Sequence, residues 1–311
     1  LAAEQIAHDS SEQLYPGFWL QTAWPNTWES HSTLVDQMMM FLDYRPEGTN
    51  GNNTCYMAPK IPSAWSGLTF NNLNSQGQRF DVAIAENPTN VRADINKHTV
   101  GTLNYDIYLR IPAGITPVMV VTNGAYYVPS PSDYDTNTGR VHVHGPLASA
   151  AVDNYIVITY GNNSYTGNGI SDSWALQYGF NPLDPTVASQ YVSGSGFSNL
   201  QQYAAGFNPT NPAAYLHVIS IAKTNGTDVQ VTYLGASGDN TYSPGIASRT
   251  NVLEFTTGAA DGSYATNNFA STGQTNILSG GTGLGTVTNM TDSGGATNLP
   301  SRYYRVRVLL P

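Results

Sequence analysis

Between residues 55 and 160 apolar side chains recur at every second position in short runs bounded by Gly, Asn and Pro. The runs are RFDVAIAE (79–86), NVRADI (90–95), NYDIYLRI (104–111), PVMVVT (117–122), RVHVHG (140–145) and NYIVITY (154–160). A period of two sends successive side chains to opposite faces of a strand, so each run can bury one face and wet the other. Repeated over this length and separated by turn residues, the pattern specifies an antiparallel β-sandwich. Residues 161–213 break it with Gly, Asn, Ser and Pro. From 215 it resumes in YLHVISIAK, DVQVTYLG, NVLEFTT and RYYRVRVLL, which reads as a second, smaller sandwich.

Long helical spacing is found in the amino-terminal segment, residues 1–45. In ESHSTLVDQMMMFLDYR (29–45), Leu34, Val35, Met38, Met39, Phe41 and Leu42 recur at three- and four-residue intervals, and Glu29 and Ser30 are placed to begin the helix. Met40 adds an apolar position off that stripe, so the helix expects neighbours on more than one side. Residues 2–14, AAEQIAHDSSEQL, are the other helical candidate.

At 311 residues and 40% hydrophobic, the chain has material for two or three cores. Only 11% of residues are charged, against roughly 25% in an average soluble protein. A net charge of −9 with 12 Lys plus Arg offers no basic stripe for a phosphate backbone, which excludes nucleic acid as a partner. No apolar run is long enough for a membrane span. Cys55 is alone, so no intrachain disulfide can form. Richness in Tyr, Asn and Thr with few Lys suggests a secreted bacterial protein, extracellular or on the cell surface. The start at Leu1, without an initiator Met or signal peptide, reads as a processed form or a fragment.

The break at 161–213 has a frame of its own. GNGISDSWALQYGFNP (167–182) ends in GFNP, and GFNP returns at 206–209. A calcium loop of the EF-hand type takes ligands from positions 1, 3, 5, 7, 9 and 12 around a Gly at position 6. With Gly169 at position 6, those places hold Ser164, Thr166, Asn168, Ile170, Asp172 and Ala175. With Gly196 there, they hold Tyr191, Ser193, Ser195, Phe197, Asn199 and Gln202. The stretch resembles the paired Asp-rich connectors of secreted bacterial proteins, related to thrombospondin type 3 and dockerin loops, with the frame kept and the charge dropped. Affinity follows ligand charge, so Asp172 and Asn168 are expected to hold calcium weakly at most, and no cofactor is expected. The plain alternative is a spacer packed by Ile170, Trp174, Phe197, Leu200 and Tyr203. Work at acid pH, where carboxylates are partly protonated and poor ligands, would account for both the neutral loops and the neutral surface.

A second resemblance lies over residues 20–125. WPNTWESHSTLVDQMMMFLDYR followed by YMAPKIPSAWSGLTFNNL is similar to the end of the (α/α)6 barrel and the start of the carboxy-terminal β-domain of six-hairpin glycosidases, such as glycoside hydrolase families 65 and 95. Pro59, Pro62 and Trp65 match the Pro, Pro and Trp of the segment joining the two. The resemblance implies a catalytic or sugar-binding carboxylate at Glu29, with Trp24, Trp28 and His31 contacting saccharide. The residues also permit a first-turn acid stabilised by the helix dipole, with the tryptophans as core. Such a barrel needs twelve helices and two acidic groups, or one with an activated phosphate, and this chain has room for one or two helices. Whether it is an enzyme is therefore left open, because most of a catalytic barrel would have to be supplied by an upstream polypeptide.

Other signals are weaker. His142 and His144 share one strand face, a spacing seen in metal sites but with no third ligand at hand, and they read as a surface pair. Asp133, Tyr134 and Asp135 lie in PSPSDYDTNTG, which reads as a turn with capacity for calcium or saccharide. The ending TDSGGATNLPSRYYRVRVLLP resembles the last strands of fibronectin-like modules, with Tyr303, Arg305 and Arg307 alternating against Tyr304, Val306 and Val308.

The expected fold class is mainly β. A helical segment (1–45) precedes a β-sandwich (46–160), a calcium-connector-like helix pair (161–213) and a fibronectin/Ig-like sandwich (214–311). The expected function is the largely non-catalytic carboxy-terminal portion of a secreted carbohydrate-active enzyme, whose partners are an upstream barrel polypeptide and carbohydrate. The rival expectation is a filament-forming surface protein that assembles with copies of itself through its neutral surface and the apolar helix around Met38 to Leu42.

Overall fold

The computed structural model describes residues 41–46, 54–62, 65–192, 194–239, 247–297 and 301–309. The chain divides into two compact units, Leu1–Tyr160 and Gly161–Pro311. Both are built of strands, and the fold is mainly β.

The first unit comprises β1 (Cys55–Met57), β2 (Gly67–Ser75), β3 (Gln78–Glu86), β4 (Asn90–Lys97), β5 (Leu103–Arg110), β6 (Pro117–Thr122), β7 (Ala125–Tyr127), β8 (Tyr134–Asp135), β9 (Arg140–Leu147) and β10 (Asp153–Tyr160). They form a four-stranded sheet in the order β1-β5-β9-β8 and a six-stranded sheet in the order β2-β3-β4-β10-β6-β7. Pairing is antiparallel except between β1 and β5. The alternation in sequence becomes alternation in burial. Leu103, Tyr105, Ile107 and Leu109 of β5 face inward, and Phe80, Val82 and Ile84 of β3 meet them in one core. Leu42 is fully buried in this same core, so at least this end of the amino-terminal helical pattern is used by the sandwich itself. Its carbonyl accepts the Ala58 N–H at 2.8 Å. Burial pushes the Cys55 thiol up to about 12, so the lone cysteine is a small core hydrophobe.

Buried Lys97 closes the end of this sandwich. Its ammonium donates to the carbonyls of Gly101 and Ala148, and to that of Ala150 at 3.5 Å. One cation thus ties the β4–β5 turn to the β9–β10 turn, and burial draws its pKa down.

The second unit opens with α1 (Asp172–Gln177) and α2 (Asn199–Ala205). Its sandwich follows, made of β11 (His217–Thr224), β12 (Asp228–Gly235), β13 (Ser248–Gly258), β14 (Ala270–Ser279), β15 (Thr286–Asp292) and β16 (Ser301–Leu309). The sheets run β11-β12-β15 and β14-β13-β16. Val231, Tyr233, Leu253 and Met290 form the buried centre. On β13, Glu254 stands on the face opposite Leu253 and is only 4% exposed, because Arg305 and Arg307 of β16 lie over it with Nε–O distances of 2.7 Å each. The helix pair is fastened to this sandwich. Arg249 donates to the Ala204 carbonyl, and Phe207 and Ala214 share a small core with Ala236.

The repeated GFNP is a device for stopping a helix. After α1 the Phe180 N–H reaches back to the Ala175 carbonyl, and after α2 the Phe207 N–H reaches back to the Gln202 carbonyl, each a Schellman closure. Gly206 holds φ +78°, and a Cβ there would lie 2.5 Å from the Gly238 carbonyl carbon. The Asn then forms an Asx turn, Asn181 accepting from the Leu183 N–H at 3.0 Å and Asn208 from the Thr210 N–H at 2.8 Å.

Candidate functional site

The strand phase that buries Leu103 to Leu109 sends the other phase to the outer face of the four-stranded sheet. There β5 presents Asp106, Tyr108 and Arg110, β9 presents Arg140, His142 and His144, and β1 presents Tyr56. The register sets Tyr108 opposite His142 and Arg110 opposite Arg140. The rings form a continuous row. Tyr56 to Tyr108 is 5.4 Å between centroids, Tyr108 to His142 is 4.4 Å and nearly parallel, and His142 to His144 is 4.9 Å. The Arg45 guanidinium caps the row 4.9 Å from the Tyr56 centroid. His142 Nε2 lies 3.0 Å from an Asp106 oxygen. The histidine pair is thus part of an aromatic row.

The PSPSDYDTNTG loop folds against the same face. The Asp133 main-chain carbonyl accepts the His142 N–H at 2.7 Å. Its carboxylate accepts from the Ser130 N–H and hydroxyl, and that of Asp135 from the Asn137 N–H and Thr138 hydroxyl. These bonds hold both carboxyls below the usual range. Gly139 ends the loop at φ +69°, where a Cβ would lie 2.1 Å from the Ile111 carbonyl oxygen. Only glycine allows the chain to pass there and start β9 at Arg140.

Between loop and sheet lies a cavity of about 650 Å³ whose lining includes Lys60, Tyr108, Arg110, Asp133, Asp135 and Arg140. Like charges directly opposite on paired strands repel, so the Arg110–Arg140 pair carries a local cost. Among the described residues, no side-chain hydrogen bond or ion pair engages Lys60, Arg110 or Arg140. Asp133 and Asp135 are committed to their own loop. The arrangement leaves cationic donors free for an oxyanion.

Arg110 also borders a second cleft of about 570 Å³, with Trp65, Glu86, Pro88 and Tyr160. Trp65 is 44% exposed and stacks on Phe41 at 5.6 Å. Burial pushes the Glu86 carboxyl up, and the Arg110 charge opposes that in part. An indole, a carboxyl and guanidinium groups around adjoining clefts are the side chains that recognise polyhydroxylated, charged ligands.

Trp24, Trp28, Glu29 and His31 lie outside the described residues. Asp172 and Asn168 are both used inside the helix-pair segment itself. Asp172 is buried, accepting from Asn163 Nδ2 at 2.7 Å and the Tyr165 N–H at 2.8 Å. Asn168 Oδ1 accepts from the Ile170 N–H at 3.0 Å and the Ser164 hydroxyl at 3.3 Å. In the second loop, Gln202 Nε2 donates to Ser195 Oγ at 3.3 Å and to the Ala214 carbonyl at 3.2 Å. Position 1 thus meets position 5 in the first loop and position 12 meets position 5 in the second, bonds between places that would otherwise point at an ion. Among the described residues there is no group of three or more His, Cys, Asp or Glu suited to a metal. The helices pack through Ile170, Trp174, Val187 and Tyr203. Two expected members are elsewhere, since Leu200 is 40% exposed and Phe197 neighbours Tyr215.

Arg110, Arg140 and Glu86 were not singled out from sequence. Their signal is the polar phase of NYDIYLRI and RVHVHG, which carries Asp106, Tyr108, Arg110, Arg140, His142 and His144 to one face.

Residues 51–100, from the approach to β1 to just beyond β4, match the family model of the glycosyl hydrolase family 65 C-terminal domain. That part of the first sandwich is therefore similar to a glycoside hydrolase-associated C-terminal region. Among solved structures, the crystal structure of Ara127N-Se, a GH127 beta-L-arabinofuranosidase from Geobacillus stearothermophilus T6, aligns at 8% identity and a TM-score of 0.26. The alignment covers 92% of this chain and 36% of that one, so this chain spans little more than a third of its length. No curated protein matches the chain. No helix among the described residues is long and apolar enough to cross a membrane.

Proposed function

We propose that the chain is the carboxy-terminal, largely non-catalytic portion of a secreted bacterial carbohydrate-active enzyme, giving domain support and attachment to a barrel carried by an upstream polypeptide. The observation that carries this reading is the family 65 C-terminal match at residues 51–100, which spans the Pro59, Pro62 and Trp65 segment and the strands after it. The second sandwich supports an attachment role. Its orders β11-β12-β15 and β14-β13-β16 correspond to A-B-E and C′-C-F of an immunoglobulin-like sandwich, the architecture shared by fibronectin type III modules. The connector acts as a hydrogen-bonded spacer, needing no calcium.

Light scattering on the chain alone, together with hydrolysis assays on a panel of glycosides, tests this. The expected result is a particle of fixed small size with no hydrolysis. Open-ended homopolymers would contradict it and favour a filament subunit.

A further inference from the structure

We infer that the adjoining clefts around Arg110 form a binding site for an acidic saccharide, with a sugar carboxylate held between Arg110 and Arg140 and neighbouring sugar units running toward Trp65. This deepens the proposed function and rests on its carbohydrate reading. Three observations carry it. First, Arg110 and Arg140 stand opposite each other on β5 and β9, with no ion pair to either among the described residues, and Lys60 lines the same cavity. A cross-strand pair of like charges that no carboxylate meets in an ion pair among the described residues, the Glu86 charge acting on Arg110 only from farther off, is a local inconsistency of the kind that marks function. Second, Asp135 stands cross-strand from Arg140, but its carboxylate and that of Asp133 are bonded to Asn137, Thr138 and Ser130, and neither forms an ion pair with the arginines among the described residues. Third, the cavity opens beside a cleft with an exposed indole and a carboxyl, Trp65 and Glu86, and Arg110 borders both.

Each observation selects a feature of the ligand. Planar guanidinium forks match a carboxylate in bidentate geometry, and two of them define an oxyanion site. Trp65 offers an apolar face on which a pyranose ring can stack, and Glu86 offers an acceptor for sugar hydroxyls. Inorganic phosphate would satisfy the arginines alone and leave the tryptophan cleft unused. An acidic saccharide uses both.

The test is calorimetric titration of the full chain with oligomers of galacturonate, mannuronate and glucuronate, with a neutral galactose oligomer, and with inorganic phosphate. Variants are Arg140→Gln, Arg110→Lys, Trp65→Ala and, as a control in the other compact unit, Lys223→Gln. At least one oligouronate is expected to bind at one site per chain, and the neutral oligomer and phosphate at least tenfold more weakly. Arg140→Gln and Trp65→Ala should each weaken the oligouronate at least tenfold, while Lys223→Gln should leave it unchanged. Arg140→Gln relieves like-charge repulsion, so its melting temperature should equal or exceed that of the parent. Arg110→Lys keeps the charge and the fold but loses the fork, and should still weaken binding.

Phosphate binding as tightly as every oligouronate would overturn the saccharide assignment. A neutral oligomer binding equally well, or arginine variants binding like the parent, would overturn the role of the guanidinium pair. Failure of all three oligouronates would overturn the site. None of these outcomes depends on what precedes the chain in its native polypeptide, so failure here is distinguishable from failure of the proposed function.

Discussion

Replacing Glu254 by Gln should weaken the second sandwich by a predictable amount at neutral pH and by progressively less in acid. Burial pushes the Glu254 carboxyl up, but hydrogen bonds from Arg307 and Arg305, with their charges, outweigh it and hold the pKa below the ordinary 4.5. The variant keeps the shape and one acceptor while losing the charge. Two charge-assisted hydrogen bonds would be worth about 1.5–3 kcal/mol each if fully buried. The Arg305 and Arg307 side chains are 45% and 49% exposed and regain water when released, which discounts both strongly. A net loss of about 1–2 kcal/mol follows, or a factor of about 5–30 in the opening equilibrium. A carboxylate whose folded pKa is depressed contributes stability above its unfolded pKa and loses it as pH falls through the folded value. The deficit of the variant should thus be full at neutral pH and should fade below about pH 4.5. Hydrogen exchange by mass spectrometry, read on peptides from β13 and β16 of the full chain, localises the effect. Unchanged exchange in those strands at neutral pH, or a deficit that persists undiminished in strong acid, would refute the reasoning.

Two further predictions concern other parts of the chain. Lys97→Met leaves the Gly101 and Ala148 carbonyls without their donor, so the first sandwich should lose about 1–3 kcal/mol, seen as a lower melting temperature with faster exchange in both turns; an unchanged midpoint would show that the ammonium ties nothing together. A calcium site filled to a hundred times its dissociation constant adds about 2.7 kcal/mol, whereas the loops before α1 and α2 should give no shift in melting temperature on adding calcium, and a clear rise would show an ion displacing the Gln202–Ser195 bond.

The first sandwich was legible because its strands are half-buried. RFDVAIAE became β3 and NYDIYLRI became β5 within a residue at each end. In the second sandwich, β14 and β15 escaped notice because ASTGQTNILS and TVTNMTD contain few apolar residues to alternate, and β14 is mostly exposed. Short β1 and β8 carry no period, and the cross-strand bonds of their neighbours place them. The candidate site was half legible. His142, His144, Asp133 and Asp135 were noticed, but as separate signals, because their convergence depends on the register of β9 against β5 and β8. The arginine pair depends on that register too. Phe197 and Leu200 looked like core by residue type, while tertiary context gave that place to Val187.

The most direct test of the central claim is the intact mass and amino-terminal sequence of the polypeptide that carries these residues in its natural source. The account predicts a longer polypeptide, with helical hairpins upstream of Leu1 that supply the rest of a barrel and its catalytic machinery. A native polypeptide beginning at Leu1 and assembled only with copies of itself would contradict it.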